Sequence, residues 1–290
     1  PDFIEELQRI WANGDAAFPV DQRFPELAKQ QACAAMRVGA DVEPGDALVV
    51  ATSGSTGSPK GVILTHDAVA ASAEATSMRL GVDAGDHWLA CLPLSHVGGL
   101  SVVTRALHTG TALTALPVFD AAAVDASDAN LISLVATALT RIDTTKFRTI
   151  VLGGARPPAG RPTNAVTTYG LTETGSGVVY DGIPLNGVEV EIDGDHEIAL
   201  RGPMLTRGYR NGQSPVTGNG WLLTGDLGHW TAGGQLHVEG RKGDLIICGG
   251  ENIWPEAVEL LVATHPDVAD VMAREAGADG RLQRFGGDAR

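Results

Sequence analysis

Thr52-Ser-Gly-Ser-Thr-Gly-Ser-Pro-Lys-Gly61 is the most informative segment of the sequence, and it follows an apolar run at 47–51 that predicts a buried strand. Its glycines allow close backbone approach to a ligand, its hydroxyl groups donate hydrogen bonds, and Lys60 adds positive charge. Lys60 is followed by glycine, so this is not a Walker A loop. The segment predicts a loop that binds polyphosphate, with a plain Ser/Gly surface loop as the alternative.

Strand-like and helix-like segments alternate on both sides of this loop. Helices are predicted at 66–80 and 98–108, and strands at 88–92, 112–116, 131–135 and 149–152. Such alternation predicts an α/β fold with a covered, mainly parallel sheet. From about residue 181 the pattern becomes β-rich, with hairpins predicted for 188–192 with 197–200 and for 221–223 with 235–238.

Charge and composition narrow the classes of function. The chain has 290 residues, 35 acidic against 21 basic, and a formal net charge of -14, which argues against nucleic acid as the main partner. Its apolar runs are too short to span a bilayer. Cys33, Cys91 and Cys248 form no CxxC pair and no Cys/His cluster at metal spacing, so we interpret them as buried or incidental thiols in a reducing cytosol. We therefore expect a cytoplasmic protein that binds neither nucleic acid nor membrane.

Further motifs follow the loop in order, and together they resemble the adenylate-forming superfamily of acyl-CoA synthetases, peptide-synthetase adenylation domains and luciferases. The resemblance covers residues 45–265 and rests on the phosphate loop, Leu92-Pro-Leu-Ser-His96, Gly153-Gly-Ala155, Thr168-Tyr-Gly-Leu-Thr-Glu173, Thr224-Gly-Asp226 and Gly240-Arg241. It implies the α/β core domain of that superfamily. Peptide-synthetase domains fit less well, because the segment at 92–96 resembles the ligase version.

The resemblance also implies roles for individual residues. It places the nucleotide on Thr52, Ser53, Ser55, Thr56, Gly57, Gly153, Gly154, Ala155, Thr168, Tyr169, Gly170, Asp226 and Arg241. It gives the chemistry to Lys60, His96, Thr172 and Glu173, with Glu173 as the ligand of Mg²⁺. A carboxylate is a hard oxygen ligand of the kind that Mg²⁺ prefers. Two alternatives stay open, namely that Tyr169 is a core aromatic and that His96 is a core histidine.

Within the superfamily, residues 92–110 and 168–185 look most like the o-succinylbenzoate–CoA ligases of menaquinone synthesis. This implies ATP, Mg²⁺ and coenzyme A as cofactors and co-substrates, and a small aromatic or aliphatic carboxylic acid bound at His96 and Arg105. Arg105 could pair with a second carboxylate of such an acid, because a buried anion needs a counter-charge. It fits a surface arginine equally well. Other aryl or medium-chain acid ligases remain alternatives, and a homodimer is allowed.

The C-terminal part departs from the family pattern. Relatives carry a mobile C-terminal domain with a catalytic lysine, whereas no lysine follows Lys242 here. We expect residues 1–240 to form the AMP-binding core domain, with a β-rich subdomain at 181–240, and residues 241–290 to form the hinge and an incomplete C-terminal α+β domain. For these 290 residues we expect slow adenylation, and binding of nucleotide or acid with little turnover is the non-enzymatic alternative.

Overall fold

The computed structural model describes residues 2–52, 60–154, 160–244, 246–248 and 251–253, together with Pro255, Val258, Glu259 and Val262. The α-helices are α1 (Phe3–Ala12), α2 (Glu26–Ala35), α3 (His66–Leu80), α4 (Val97–Thr109) and α5 (Ala121–Ala126). The strands of the first half are β1 (Asp46–Thr52), β2 (Lys60–Thr65), β3 (His87–Ala90), β4 (Ala112–Ala115), β5 (Leu131–Leu134), β6 (Thr149–Leu152), β7 (Ala165–Gly170) and β8 (Gly177–Tyr180). Those of the second half are β9 (Ile183–Pro184), β10 (Glu189–Ile192), β11 (Glu197–Arg201), β12 (Gly208–Tyr209), β13 (Leu222–Trp230), β14 (Leu236–Arg241), β15 (Ile246–Cys248) and β16 (Glu251–Ile253).

A seven-stranded sheet forms the centre of the fold, in the order β4-β3-β5-β6-β7-β8-β9. Strands β4, β3, β5, β6 and β7 run parallel, and β8 and β9 add antiparallel pairs at one edge. Leu89, Ile132 and Ile150, from three neighbouring strands, are fully buried. Burial on both faces explains why these strands are continuous apolar runs. The predicted covered, mainly parallel sheet is confirmed.

The strand before the phosphate loop does not join this sheet. β1 pairs antiparallel with β2, and β2 pairs with β12, which makes a separate three-stranded sheet. The expectation that the run at 47–51 belongs to the parallel alternation is therefore wrong. Strand β2 lies so close to its neighbours that a Cβ on Gly61 would come within 2.6 Å of Met36 Sδ and 2.9 Å of Arg210 Cγ. Only glycine fits there without a shift of those neighbours.

The helices agree largely with the sequence pattern. Helix α1 is capped by Asp2, whose carboxylate accepts from the Ile4 amide, and α3 is capped by Thr65 and closed by Gly81 in the left-handed region. Helix α3 has the predicted bounds, and α4 exceeds its predicted range by one residue at each end. Helix α2 lacks buried residues and was not predicted. None of the helices in the described ranges is long and apolar enough to cross a membrane.

The β-rich part forms a four-stranded sheet in the order β10-β11-β13-β14, so both predicted strand pairs are adjacent. Strands β15 and β16 form an antiparallel pair further along the chain. The larger of two compact units comprises residues 1–191, 199–224 and 230–236, and the smaller one residues 192–198, 225–229 and 237–290. The sequence pattern also predicts a helix with Pro255 in its first turn that runs to Thr264, and most of these residues lie outside the described ones.

Asp86, just before β3, links the starts of β3, β5 and β6 at the base of the parallel sheet. Its carboxylate accepts from Arg148 at 2.6 Å and 3.1 Å, from Asn130 at 2.9 Å and from the Asp83 amide at 2.9 Å. Burial alone would raise the pKa of Asp86, but these hydrogen bonds outweigh it and lower the pKa below its ordinary value of 3.8. A carboxyl of this kind stabilises the fold above its unfolded pKa, and that stabilisation is lost as the pH falls through the folded pKa.

We expect Asp86→Asn to lower the free energy of unfolding by about 1–3 kcal/mol at pH 7. The lower end of this range applies if solvent screens the charge interaction with Arg148, which is half-exposed. The loss should be constant from pH 7 to 5 and should shrink below about pH 4. Urea titrations across this range measure it. Asp120→Asn is the control, because asparagine replaces aspartate as the cap of α5 with little change. An equal loss at every pH would contradict the ionic role.

Candidate active site

The predicted adenine motifs meet at the carboxyl ends of parallel strands. Gly153 and Gly154 follow β6, and Thr168 lies in β7, where its hydroxyl donates to the Leu152 carbonyl at 3.1 Å. A Cβ on Gly153 would lie 3.1 Å from Thr168 Oγ1, and one on Gly154 would lie 3.6 Å from Val135 Cγ1, just beyond β5. Ligands of open α/β sheets bind at this edge. Ala155 lies outside the described residues.

Tyr169 and Gly170 form the end of β7. Tyr169 is half-buried. A Cβ on Gly170 would lie 2.3 Å from the Ser176 carbonyl oxygen, which explains why glycine follows the tyrosine. The chain then enters a 3-10 turn, Thr172–Thr174, which carries Glu173 beside this strand end. Thr172, the first residue of the turn, is half-buried.

Two predicted residues from distant parts of the sequence meet at a third residue that was not predicted. The hydroxyl of Tyr209 donates to Glu173 Oε1 at 2.8 Å. The ammonium of Lys60 lies 5.0 Å from the centroid of the Tyr209 ring. Lys60 and Glu173 are therefore both brought to Tyr209, which sequence reasoning missed because nothing at 206–210 resembles a chemical motif.

The flanks of the phosphate loop are register partners. Thr52, the last residue of β1, pairs with Lys60, the first residue of β2. Both side chains are half-buried. The predicted loop residues Ser53, Ser55, Thr56 and Gly57 lie outside the described residues. Their assignment to phosphate remains a prediction.

His96 begins helix α4 as its N-cap residue, without a side-chain capping bond. Its side chain is exposed, so the alternative of a core histidine is wrong. The helix packs tightly on the segment before it, since a Cβ on Gly99 would lie 2.4 Å from the Leu92 carbonyl oxygen. This contact holds the start of α4 against the end of β3, beside the strand ends described above.

Arg105 lies in the same helix and is only 1% exposed, so the alternative of a surface arginine is wrong. Its Nη2 donates to Ser176 Oγ at 3.3 Å, and its guanidinium carbon lies 4.8 Å from the centroid of the Trp88 ring. Within the described part of the chain, Nε and Nη1 have no hydrogen-bond partner, and the same holds for Trp88 Nε1. Burial lowers the pKa of the Arg105 guanidinium.

A buried guanidinium with unused donors is unfavourable unless an acceptor completes it. No ion pair involving Arg105 occurs among the residues that the structure describes. His96 and Arg105 are nine positions apart, or about 13 Å along the helix axis, so they do not touch each other.

The two predicted ribose residues meet in the smaller unit. Arg241 Nε lies 3.1 Å from Asp226 Oδ1, and the Asp226 side chain is 10% exposed against 54% for Arg241. Gly225 has φ +71°, and a Cβ there would lie 3.3 Å from Arg241 Nη1. The left-handed glycine thus lets the arginine pass over the turn that carries the aspartate.

The residues present also fit the predicted magnesium. In the described ranges no three His, Cys, Asp or Glu side chains converge, so the protein alone builds no complete cation site. Magnesium ions at nucleotide sites are held by one or two carboxylates together with phosphate oxygens and water. Glu173 suits this arrangement, because Tyr209 occupies only its Oε1.

Comparisons with known proteins identify the family to which the chain belongs. The AMP-binding enzyme family matches residues 8–210. The "Probable 2-succinylbenzoate--CoA ligase" of Mycobacterium tuberculosis is 36% identical over 298 aligned residues, which cover 92% of this chain and 76% of that protein. The 2-succinylbenzoate–CoA ligase of Bacillus anthracis is 36% identical over 265 residues, covering 77% of this chain. This chain spans only 55% of the Bacillus protein.

Among solved structures, the chain is similar to o-succinylbenzoate coenzyme A synthetase (MenE) from Bacillus subtilis in complex with ATP and magnesium ion. The TM-score is 0.74 at 30% sequence identity, over 92% of this chain and 68% of that chain. The family match covers both Lys60 and Glu173, as well as the Tyr209 that joins them. The chain therefore belongs to the AMP-binding enzyme family.

Proposed function

We propose that this protein is an AMP-forming acid–CoA ligase that activates 2-succinylbenzoate for menaquinone biosynthesis, with Mg-ATP and coenzyme A as co-substrates. Family membership and the names of the relatives support the reaction class. The observation that carries the choice of acid is Arg105, which is buried and keeps two N–H-bearing nitrogens without partners in the described structure. A dicarboxylic acid supplies the missing anion and still has a second carboxylate for reaction.

The first half-reaction joins the acid to the nucleotide. A carboxylate oxygen attacks the α-phosphorus of ATP, and the bond from that phosphorus to the pyrophosphate oxygen breaks, so its electron pair leaves with pyrophosphate. Lys60 and the Thr172 hydroxyl stabilise the charge on the phosphate oxygens. Glu173 holds Mg²⁺, which neutralises part of the triphosphate charge when bound. The exposed His96 lies between the nucleotide and the acid.

The second half-reaction transfers the acyl group to coenzyme A. The thiolate sulfur attacks the acyl carbon, and the bond from that carbon to the AMP oxygen breaks, releasing AMP. In this proposal Tyr169 stacks on the adenine, and Asp226 and Arg241 bind the ribose hydroxyls. Residues 1–240 serve as the AMP-binding core domain, and residues 241–290 form the hinge and an incomplete C-terminal domain.

We expect Mg-ATP to raise the melting temperature of the protein much more than Mg-GTP. The motivation is that Gly153, Gly154 and Tyr169 belong to the motifs that the family resemblance assigns to adenine, and they follow or end the neighbouring strands β6 and β7. At a nucleotide concentration one hundred times Kd, the stabilisation should be about 2.7 kcal/mol. Thermal unfolding with each nucleotide measures this, and equal shifts from both would contradict the adenine assignment.

The proposed acid is tested by binding three ligands in the presence of a non-hydrolysable ATP analogue. These are 2-succinylbenzoate, 4-oxo-4-phenylbutanoate, which lacks the ring carboxylate, and 2-butanoylbenzoate, which lacks the chain carboxylate. We expect calorimetry to show weaker binding of both monoacids, because each removes one charge contact. A monoacid that binds as tightly as the diacid would contradict the pairing of Arg105 with a second carboxylate.

A further inference from the structure

We infer that Tyr209 is a positioning residue, which orients the Glu173 carboxylate for the cation and keeps the Lys60 ammonium separate from that carboxylate. The inference rests on the proposed function, because it concerns how the same site holds Mg-ATP. It adds a residue that carries neither a charge nor a phosphate-binding motif.

The hydroxyl of Tyr209 determines which oxygen of Glu173 is available. It donates to Oε1 at 2.8 Å, a hydrogen bond strengthened by the charge of the acceptor. Among the described residues no other hydrogen bond reaches this carboxylate through its side-chain oxygens, so Oε2 keeps its lone pairs for a cation. A carboxylate held by one oxygen presents the other in one direction, without the cost of ordering when the cation arrives.

The ring of Tyr209 accounts for the position of Lys60. The ammonium lies 5.0 Å from the ring centroid, within the range of a cation–π interaction. Lys60 and Glu173 carry opposite charges and touch the same side chain, yet no ion pair between them occurs in the described part of the structure. The ring thus contacts one charge and its hydroxyl group the other. In this inference both charges stay available, one for phosphate and one for the cation.

The backbone on both sides of Tyr209 is firmly anchored. Tyr209 pairs with Val62 in the register of β12 with β2. The Thr206 amide donates to the Glu173 carbonyl at 2.7 Å, and the Thr206 hydroxyl donates to the Ile63 carbonyl at 2.7 Å. The Arg210 amide donates to the Gly61 carbonyl at 2.8 Å. The segment 206–210 therefore anchors both the turn that carries Glu173 and the strand that begins with Lys60. A positioning residue requires such a fixed backbone.

The test is calorimetric binding of ATP to the full chain, with EDTA and then with excess Mg²⁺. Tyr209→Phe keeps the ring and removes the hydroxyl. We expect its affinity for metal-free ATP to stay within about twofold of the wild type, and the gain on adding Mg²⁺ to fall by about tenfold or more. Tyr209→Leu removes ring and hydroxyl, and we expect it to lose affinity for metal-free ATP as well, because Lys60 can then pair with Glu173.

Tyr180→Phe is the matched control. It removes a buried hydroxyl that lies 3.3 Å from Thr76 Oγ1, in a part of the fold that does not touch Lys60 or Glu173. We expect its Mg²⁺-dependent gain to equal that of the wild type. Melting temperatures of all variants without ligand accompany the titrations, and we expect Tyr209→Phe to melt within a few degrees of the wild type.

Three results would overturn the inference. A Tyr209→Phe protein with the full Mg²⁺-dependent gain would show that the hydroxyl does not orient Glu173. If Tyr209→Phe lost equal ATP affinity with and without Mg²⁺, or if a lowered melting temperature accounted for its loss of affinity, Tyr209 would be a structural residue. A wild-type protein that does not bind Mg-ATP at all would contradict the proposed function itself, and this inference with it, whereas the first two results contradict the inference alone.

Discussion

Replacing Arg105 with methionine is expected to abolish the preference for a dicarboxylic acid while leaving the fold as stable as before or more so. The guanidinium is buried and has two nitrogens without partners among the described residues. Removing one partner of a buried charge pair typically costs about 2–5 kcal/mol, so the affinity for 2-succinylbenzoate should fall by about 30-fold to several thousand-fold. For the monoacid that lacks the carboxylate paired with Arg105, the affinity should change far less between the wild type and Arg105→Met.

The stability of the same variant separates a binding role from a structural one. A buried ion that lacks its partner lowers stability, and a methionine of similar length removes that charge while filling the space beside Trp88. We therefore expect Arg105→Met without ligand to unfold at the same or a higher urea concentration than the wild type. A structural arginine would instead lose about 3–5 kcal/mol.

Arg148→Met is the matched control for this experiment. Arg148 pairs with the buried Asp86 at 2.6 Å, so its removal leaves an unpaired carboxylate. We expect this variant to be less stable than the wild type and to keep the same preference for the diacid. If Arg105→Met behaved in the same way as Arg148→Met, the assignment of Arg105 to substrate would be wrong.

The second large effect is expected for Lys60→Ala. The side chain begins β2 next to the predicted phosphate loop and contacts the Tyr209 ring, which is a minor contribution to folding. We expect the affinity for ATP to fall by about 30-fold to several thousand-fold, or about 2–5 kcal/mol, because a charge contact to phosphate is lost. Affinity for adenosine should change little, since adenosine has no phosphate.

Calorimetry with ATP and adenosine, together with thermal unfolding, measures both parts of this prediction. Lys146→Ala is the control, because Lys146 is an exposed lysine whose ammonium donates to the Asp125 carbonyl and which also interacts with Asp143. It should leave nucleotide affinity unchanged. If Lys60→Ala lost its melting transition while retaining nucleotide affinity, Lys60 would be a structural residue.

Most of the central sheet could be predicted from the sequence because its strands are buried on both faces. Strand β6 was predicted with its exact ends, and the predicted range of α3 agrees with the structure, in which Thr65 and Gly81 cap the helix. Strand β2 was missed because it begins inside the polar loop at Lys60 and ends at the cap of α3. Helix α2 was missed because no residue in it is buried, so it has no apolar stripe to detect.

The site was only partly predictable, because one of its contacts depends on how two strands distant in sequence pair with each other. Sequence motifs name residues that carry chemistry, and they named Lys60 and Glu173. Tyr209 lies 36 positions from Glu173, and its contact depends on the pairing of β12 with β2, which no local pattern encodes. Arg105 could be named, but its burial could not, because α4 is buried along most of its length by neighbours distant in sequence.

The most direct test of the central claim is a single-turnover experiment. Equimolar protein and ATP labelled at the α-phosphate are mixed with Mg²⁺ and 2-succinylbenzoate, quenched over time and analysed for the mixed anhydride of AMP and the acid. We predict that this adenylate forms, that it is absent without the acid, and that 4-oxo-4-phenylbutanoate and 2-butanoylbenzoate form far less. A protein that binds Mg-ATP but forms no adenylate with the diacid, or forms it equally from either monoacid, would contradict the account.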